Sequence, residues 1–87
     1  MAISAEILKA ARAMLGWKSL DLAEHSGVAH DTIRSFESGR TRTLTAMNEK
    51  AVIRALEQAG LVLIAENGGG AGVRFESPKT QEVSDDA

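Results

Sequence analysis

The sequence contains no cysteine, and its only aromatic side chains besides histidine are Trp17, Phe36 and Phe75. The absence of cysteine excludes disulfide bonds and thiolate metal sites. Because the 87-residue chain is short and poor in aromatic residues, its hydrophobic core must be small and mainly aliphatic. Chains of this size often gain stability by association, and we therefore expect an oligomer.

Long apolar segments and export signals are also missing. No stretch approaches the roughly 18 consecutive apolar residues that a membrane-spanning helix needs. The first residues do not follow the pattern of a secretory signal peptide. We therefore expect a cytoplasmic protein without a membrane partner.

Residue patterns typical of enzymes are absent as well. His25 and His30, the only histidines, lie in different predicted elements and suggest neither a metal site nor a Ser-His-Asp triad. The glycine-rich stretch at residues 68–72 lacks the Lys-Ser/Thr of a phosphate-binding loop and does not lie between a strand and a helix. The sequence predicts no enzyme, no cofactor and no metal.

The net charge of −2 conceals an uneven distribution of charge along the chain. From Lys9 to Arg54 there are eight basic and five acidic residues, a balance of +3. From Ala55 onward two basic and six acidic residues give −4, and Glu6 supplies the remaining −1. Phosphate neutralisation dominates non-specific binding to nucleic acids. The basic part is therefore compatible with nucleic acid, but its modest charge predicts weak non-specific affinity.

Four segments have the apolar periodicity of helices. Ser4 is suited to cap a first helix that continues to Leu15 and ends at Gly16. The apolar periodicity also predicts two short helices, at residues 19–26 and 30–38. A fourth helix is expected from about Leu44 to Ala59, before Gly60.

The two short helices and their connection are the most informative part of the chain. Gly27 tolerates the left-handed conformation with which a chain leaves a helix sharply. Ala23 offers a small side chain where two helices approach, and Val28 can turn inward. Ile33 and Phe36 share one face of the second helix. This spacing predicts two helices joined by a tight turn, the arrangement that places a helix in the DNA major groove.

This segment resembles the helix-turn-helix of the lambda-repressor/Cro-like (xenobiotic-response-element) family. The matching residues are Leu22, Ala23, Glu24, Gly27, Val28, Thr32, Ile33, Phe36, Glu37, Ser38 and Gly39. The resemblance extends less sharply from Ile3 to about Gly60, and it implies a mostly α domain of four to five helices. Two positions differ, because Ser19 replaces the usual Gln and Ala29 replaces the usual Ser or Thr cap. The lost cap costs roughly 0.5–2 kcal/mol.

The resemblance also implies roles for individual residues. Bases would be contacted by His30, Asp31 and Ser35, since His can donate to guanine and Asp can accept from cytosine. Contacts to the DNA backbone are expected from Lys18, Ser19, Thr32, Arg34, Ser38, Arg40, Thr41 and Arg42. Arg12 and Glu37 would form a structural ion pair that fixes the recognition helix.

After Gly60 the periodicity becomes that of strands. Residues 61–66 and 73–76 predict a β-hairpin with a glycine-rich connection, and residues 77–87 predict a disordered acidic tail. An isolated hairpin is marginally stable, and an apolar edge strand favours pairing with another chain. We therefore expect residues 61–76 to dimerise residues 1–60 through an intermolecular sheet. The dimer contacts would come from Leu61, Val62, Leu63, Ile64, Val73 and Phe75.

Together these expectations describe a dimeric transcriptional repressor that binds palindromic double-stranded DNA and associates with the nucleoid when bound. An alternative is an antitoxin that binds a protein toxin and regulates its own operon, since antitoxins with this fold often add a β-element and a flexible tail. A third alternative is a control protein of a restriction-modification system or mobile element.

Overall fold

The computed structural model describes residues 2–78, which form four helices and a two-stranded antiparallel sheet. The elements are α1 (Ala5–Leu15), α2 (Ser19–Ser26), α3 (His30–Glu37), α4 (Ala46–Gln58), β1 (Leu61–Ile64) and β2 (Gly72–Phe75). The predicted mostly helical fold with a C-terminal hairpin is confirmed at this level. Residues 79–87, which make up most of the predicted acidic tail, lie outside the described part of the chain.

Local side-chain chemistry sets the ends of the helices. Ser4 Oγ accepts a hydrogen bond from the Ile7 amide at 3.1 Å, and Gly16 leaves α1 in the left-handed region with φ 69°. α4 begins two residues later than expected, because the Thr45 hydroxyl caps it by accepting from the Asn48 amide at 3.1 Å. α3 ends one residue early, at Glu37, and the Ser38 hydroxyl donates to the Ser35 carbonyl.

A single aliphatic core joins the four helices to the hairpin. Its largest fully buried side chains are Leu8 of α1, Leu22 of α2, Ile33 of α3, Val52 and Leu56 of α4, and Leu61 of β1. Trp17 lies half-buried beside this core, and its ring stacks on that of His25 with the centroids 4.3 Å apart. No helix within residues 2–78 has the length and apolar character needed to cross a membrane.

The register of the hairpin separates its apolar residues into two faces. Leu61 pairs with Phe75 and Leu63 pairs with Val73, and all four of these side chains pack on or within the core. Because successive side chains of a strand point to opposite faces, Val62 and Ile64 lie on the outer face. The six residues assigned to dimerisation therefore do not form one surface.

Leu61 requires a correction to its expected role. Its side chain is only 1% exposed and belongs to the core of its own chain, so it is not available for contact with a second chain. Ile64, in contrast, is 39% exposed. β1 also ends at Ile64 rather than at residue 66, and β2 begins at Gly72, the pairing partner of Ile64.

Candidate nucleic-acid interface

The connection between α2 and α3 has the sharp turn that the sequence predicts. Gly27 adopts φ 77°, and its amide donates to the Ala23 carbonyl at 2.9 Å. Ala23 precedes the turn and Val28 follows it, and both side chains are buried. A side chain at Gly27 would meet no atom within 4 Å, so the glycine is required by the backbone conformation rather than by crowding.

α3 has one buried and one accessible face. Ile33 and Phe36 are 0% and 2% exposed and anchor the helix in the core. Asp31 and Arg34 are exposed on the remaining surface, where His30, Thr32 and Ser35 are half-buried. The helix therefore lies at the surface of the domain with a polar face open to a ligand.

A polar concave surface lies beside the accessible face of α3. It has a volume of about 430 Å³ and is lined by Asp31, Arg34, Ser35, Ser38 and Arg40. All five residues are among those assigned to DNA contacts from the sequence. Two arginines, one carboxylate and two hydroxyl groups offer both donors and acceptors to a bound molecule.

The segment that follows α3 folds back onto the end of the helix. The Thr41 amide donates to the Ser35 carbonyl at 3.0 Å, and the Arg40 amide donates to Ser38 Oγ at 3.4 Å. This path holds the exposed side chains of Arg40, Thr41 and Arg42 at the C-terminal end of α3.

A hydrogen bond joins the first residues of α2 and α3. Ser19 Oγ lies 2.9 Å from His30 Nε2, and both side chains are half-buried. Because the hydroxyl can either donate or accept, the tautomer of His30 determines which group donates. In either case the bond orients the ring and leaves Nδ1 for another partner. The sequence suggested both residues as DNA contacts but did not indicate this link between them.

Arg12 of α1 binds the C-terminal end of α3. Its Nε and Nη2 atoms donate to the two carboxylate oxygens of Glu37, each at 2.7 Å, and Nη1 donates to the Trp17 carbonyl at 2.9 Å. The Arg12 and Glu37 side chains are 20% and 10% exposed. A bidentate pair with so little exposure has a fixed geometry and is weakly screened by salt. Glu37 is therefore turned toward α1, and its charge is neutralised there.

The N-terminal ends of α2 and α3 are stabilised differently from α1 and α4. The Lys18 amide donates to the Asp21 carboxylate at 2.8 Å, while the Lys18 side chain is exposed. Ala29 precedes α3 and has no side-chain oxygen with which to cap it. The Thr32 amide instead donates to the Ala29 carbonyl. The Thr32 hydroxyl is not part of the concave surface.

Within residues 2–78, no three His, Cys, Asp or Glu side chains are grouped so that they could hold a metal ion. A comparison with models of known protein families finds no match for this chain, and neither does a comparison with curated proteins. The functional argument therefore depends on the geometry of α3 and its surroundings.

Arg12→Met should destabilise the domain, because it leaves the nearly buried Glu37 carboxylate without its partner. We expect the free energy of unfolding to fall by about 1.5–3 kcal/mol, the range for hydrogen bonds to charged groups. Chemical denaturation measures this change. Lys9→Met, at an exposed position of the same helix, is the control and should have little effect.

Adding Glu37→Met to Arg12→Met tests the cause of that loss. Removing both charges should cost less than the sum of the two single substitutions, because neither group is then left unpaired. Additive losses would contradict a coupled pair.

Proposed function

We propose that this chain is a sequence-specific regulator of transcription that inserts α3 into the major groove of double-stranded DNA. The proposal depends on how α3 is positioned. This short surface helix is anchored by its buried apolar face and by the ion pair of Glu37, and its polar face is accessible. A helix with its side chains is about 10–12 Å in diameter, and the major groove is about 12 Å wide, so the groove admits one helix.

The groups suited to phosphate lie at both ends of this helix. Ser19 is in hydrogen-bond contact with His30 at the first residue of α3, and Lys18 precedes it in the chain. Arg40, Thr41 and Arg42 lie beyond the last turn, where the Thr41 amide contacts Ser35. A helix in the major groove lies between two phosphate backbones, so this distribution supports contacts to both of them. Further contacts to the phosphate backbones would come from Thr32, Arg34 and Ser38.

The residues proposed to read bases are His30, Asp31 and Ser35. His30 and Asp31 are in the first turn, and Ser35 is four residues beyond Asp31, so the latter two lie on the same side of the helix. The hydrogen bond between Ser19 Oγ and His30 Nε2 orients the ring, and the tautomer of His30 determines whether Nδ1 donates or accepts. As a donor, Nδ1 would suit guanine N7 or O6; as an acceptor, it would suit the amino group of cytosine or adenine. Asp31 repels phosphate and acts mainly by rejecting sites that lack a donor for it.

Selection of binding sites from random DNA tests the proposal directly. The wild-type chain should select a defined motif, and His30→Ala and Ser35→Ala should each relax preference at particular positions, by roughly 1–3 kcal/mol for a lost base contact. Gln58→Ala, an exposed substitution on α4, is the control and should select the wild-type motif. If both α3 variants also select the unchanged motif, bases are read elsewhere.

Arg42→Ala should weaken binding to every DNA sequence to a similar extent. The loss of one phosphate contact should reduce the slope of log affinity against log salt by about 0.9. Arg54→Ala removes the same charge from an exposed position on α4 and should leave that slope nearly unchanged. Equal effects of the two substitutions would indicate a response to net charge alone.

We propose that the chain acts as a homodimer and represses by occupying a palindromic operator. The hairpin supports this proposal, because Val62 and Ile64 face away from the core and a two-stranded sheet has outer edges at which another strand can pair. A two-fold dimer would present two copies of α3 to half-sites about 34–36 Å apart. Repression by occlusion would require no additional domain.

Ile64→Lys should shift the protein from dimer to monomer, because a charge on the outer face of the hairpin opposes its burial between two chains. We expect the dimer dissociation constant to rise at least about tenfold, equivalent to 1.4 kcal/mol. Sedimentation velocity measures the change, and circular dichroism verifies the fold. Point substitution is preferable to removal of the hairpin, since Leu61 belongs to the core of the monomer.

Met47→Lys is the matched control, because Met47 is an exposed apolar residue on α4. It should remain dimeric. A dimer that persists in Ile64→Lys would exclude the outer face of the hairpin as the interface, and a wild-type chain that is monomeric at micromolar concentration would contradict dimerisation itself.

A further inference from the structure

The hydrogen-bond pattern of the hairpin determines which backbone groups point to its two outer edges. The Glu76 amide donates to the Gly60 carbonyl at 2.8 Å, one position before the pair formed by Leu61 and Phe75. Hydrogen-bonded and non-hydrogen-bonded pairs alternate along an antiparallel ladder. The backbone groups of every second residue therefore point outward, namely those of Leu61 and Leu63 along β1 and those of Val73 and Phe75 along β2.

The outer edge of β2 is obstructed by a charged side chain. Arg74 Nη1 donates to the Phe75 carbonyl at 3.1 Å, so the guanidinium group lies against a backbone group of this edge. Charged side chains are one means by which proteins prevent an edge strand from pairing with another chain. A second strand would have to displace this group before it could pair with β2.

The outer edge of β1 is accessible at Leu63 but not at Leu61. Leu61 is 1% exposed, so its own chain covers that end of the edge. Leu63 is half-buried through its core-facing side chain, and its backbone N–H and carbonyl groups point to the edge. Val62 and Ile64, on either side of it, present apolar side chains on the outer face. β1 has the sequence LVLI and therefore carries no charge that would oppose pairing.

We propose that β1 pairs with β1 of a second copy about a two-fold axis at Leu63. This inference rests on the homodimer proposed above and specifies its contact. The axis is perpendicular to the sheet, so the helices of both copies lie on the same side of it. The N–H group of each Leu63 donates to the Leu63 carbonyl of the other copy, and Val62 of each copy lies opposite Ile64 of the other.

The neighbouring registers satisfy fewer of these groups. An axis at Val62 would require hydrogen bonds from Leu61, which is covered. An axis at Ile64 would require them from Ala65, beyond the end of β1, and would place Glu66 opposite Val62. The axis at Leu63 therefore uses the accessible backbone groups and pairs apolar side chains with apolar side chains.

This pairing limits association to two copies. The strand order in the dimer would be β2-β1-β1-β2, and both outer edges of the four-stranded sheet would be β2 edges protected by Arg74. Pairing of β1 with β2 of another copy would instead leave a free edge at each end and could continue into a fibre. A second copy fits the β1 edge because the edge is complementary to itself at Leu63.

Disulfide formation can report the register, because the chain has no native cysteine. Residues in a non-hydrogen-bonded pair have Cα atoms about 4.5 Å apart, a distance that a disulfide spans, whereas diagonal neighbours are about 7–8 Å apart. Val62→Cys and Ile64→Cys chains are mixed in equal amounts and oxidised with glutathione disulfide. The mixture should form covalent dimers of one chain of each kind at least about tenfold faster than either variant alone forms covalent dimers. Glu76→Cys, at an exposed position just after β2, is the control and should not cross-link.

Amide hydrogen exchange provides a second measurement on the wild-type chain. The Leu63 amide should be protected at least about tenfold at concentrations where the dimer forms, and dilution to the monomer should remove this protection, because its bond is made only between copies. The Val73 amide points to the outer edge of β2 and is the matched control. It should exchange at the same rate at both concentrations.

The results that would overturn the proposal are distinct from those that bear on DNA binding. Covalent dimers of Val62→Cys alone or of Ile64→Cys alone that form as fast as those in the mixture would exclude this register. A wild-type dimer in sedimentation velocity whose Leu63 amide exchanges rapidly would place the interface elsewhere. A monomeric wild-type chain would contradict the dimer altogether, while a defined motif selected from random DNA would still support the proposed DNA binding.

Discussion

The contact between Arg12 and Glu37 is the constraint on which the position of α3 depends. One guanidinium group binds the last residue of α3 through two hydrogen bonds and the Trp17 carbonyl through a third, so α1, the α1–α2 connection and α3 share one fixed point. An eight-residue helix without a capping side chain would be marginal in isolation. Its stability must therefore come from tertiary contacts, of which this pair is the most directional.

Tertiary contacts also hold the first residue and the middle of α3. Its first residue, His30, contacts Ser19 at the beginning of α2, and its middle is anchored by Ile33 and Phe36 in the core. The elements that stabilise the helix therefore also determine which of its side chains remain accessible. In the proposed DNA complex, readout and stability would be linked, because a substitution that loosens α3 would also displace the groups that face the bases.

Much of the fold could be predicted because its signals are local. Ser4, Gly16 and Gly27 act on backbone groups within a few residues, so their effect on the helix ends is visible in the sequence. The cap at Thr45 differs from the predicted start near Leu44, although a Thr before a run of helix-forming residues is itself a signal for a helix start. The contacts between Ser19 and His30 and between Trp17 and His25 could not be predicted, since they bridge separate elements and depend on how α2 packs.

The hairpin shows why a correct prediction of two strands does not identify the residues available for dimerisation. The apolar residues of β1 and β2 predict strands, but a continuous apolar run does not show which face is buried. The pairing of Leu61 with Phe75 and of Leu63 with Val73 directs those four side chains to the core. Val62 and Ile64 are the apolar residues that remain on the outer face, where Arg74 lies beside Val62. The hairpin thus contributes to the core of the monomer before it can contribute to any interface. A dimer built on it must use the outer face and strand edges, so folding and association draw on different residues of the same two strands.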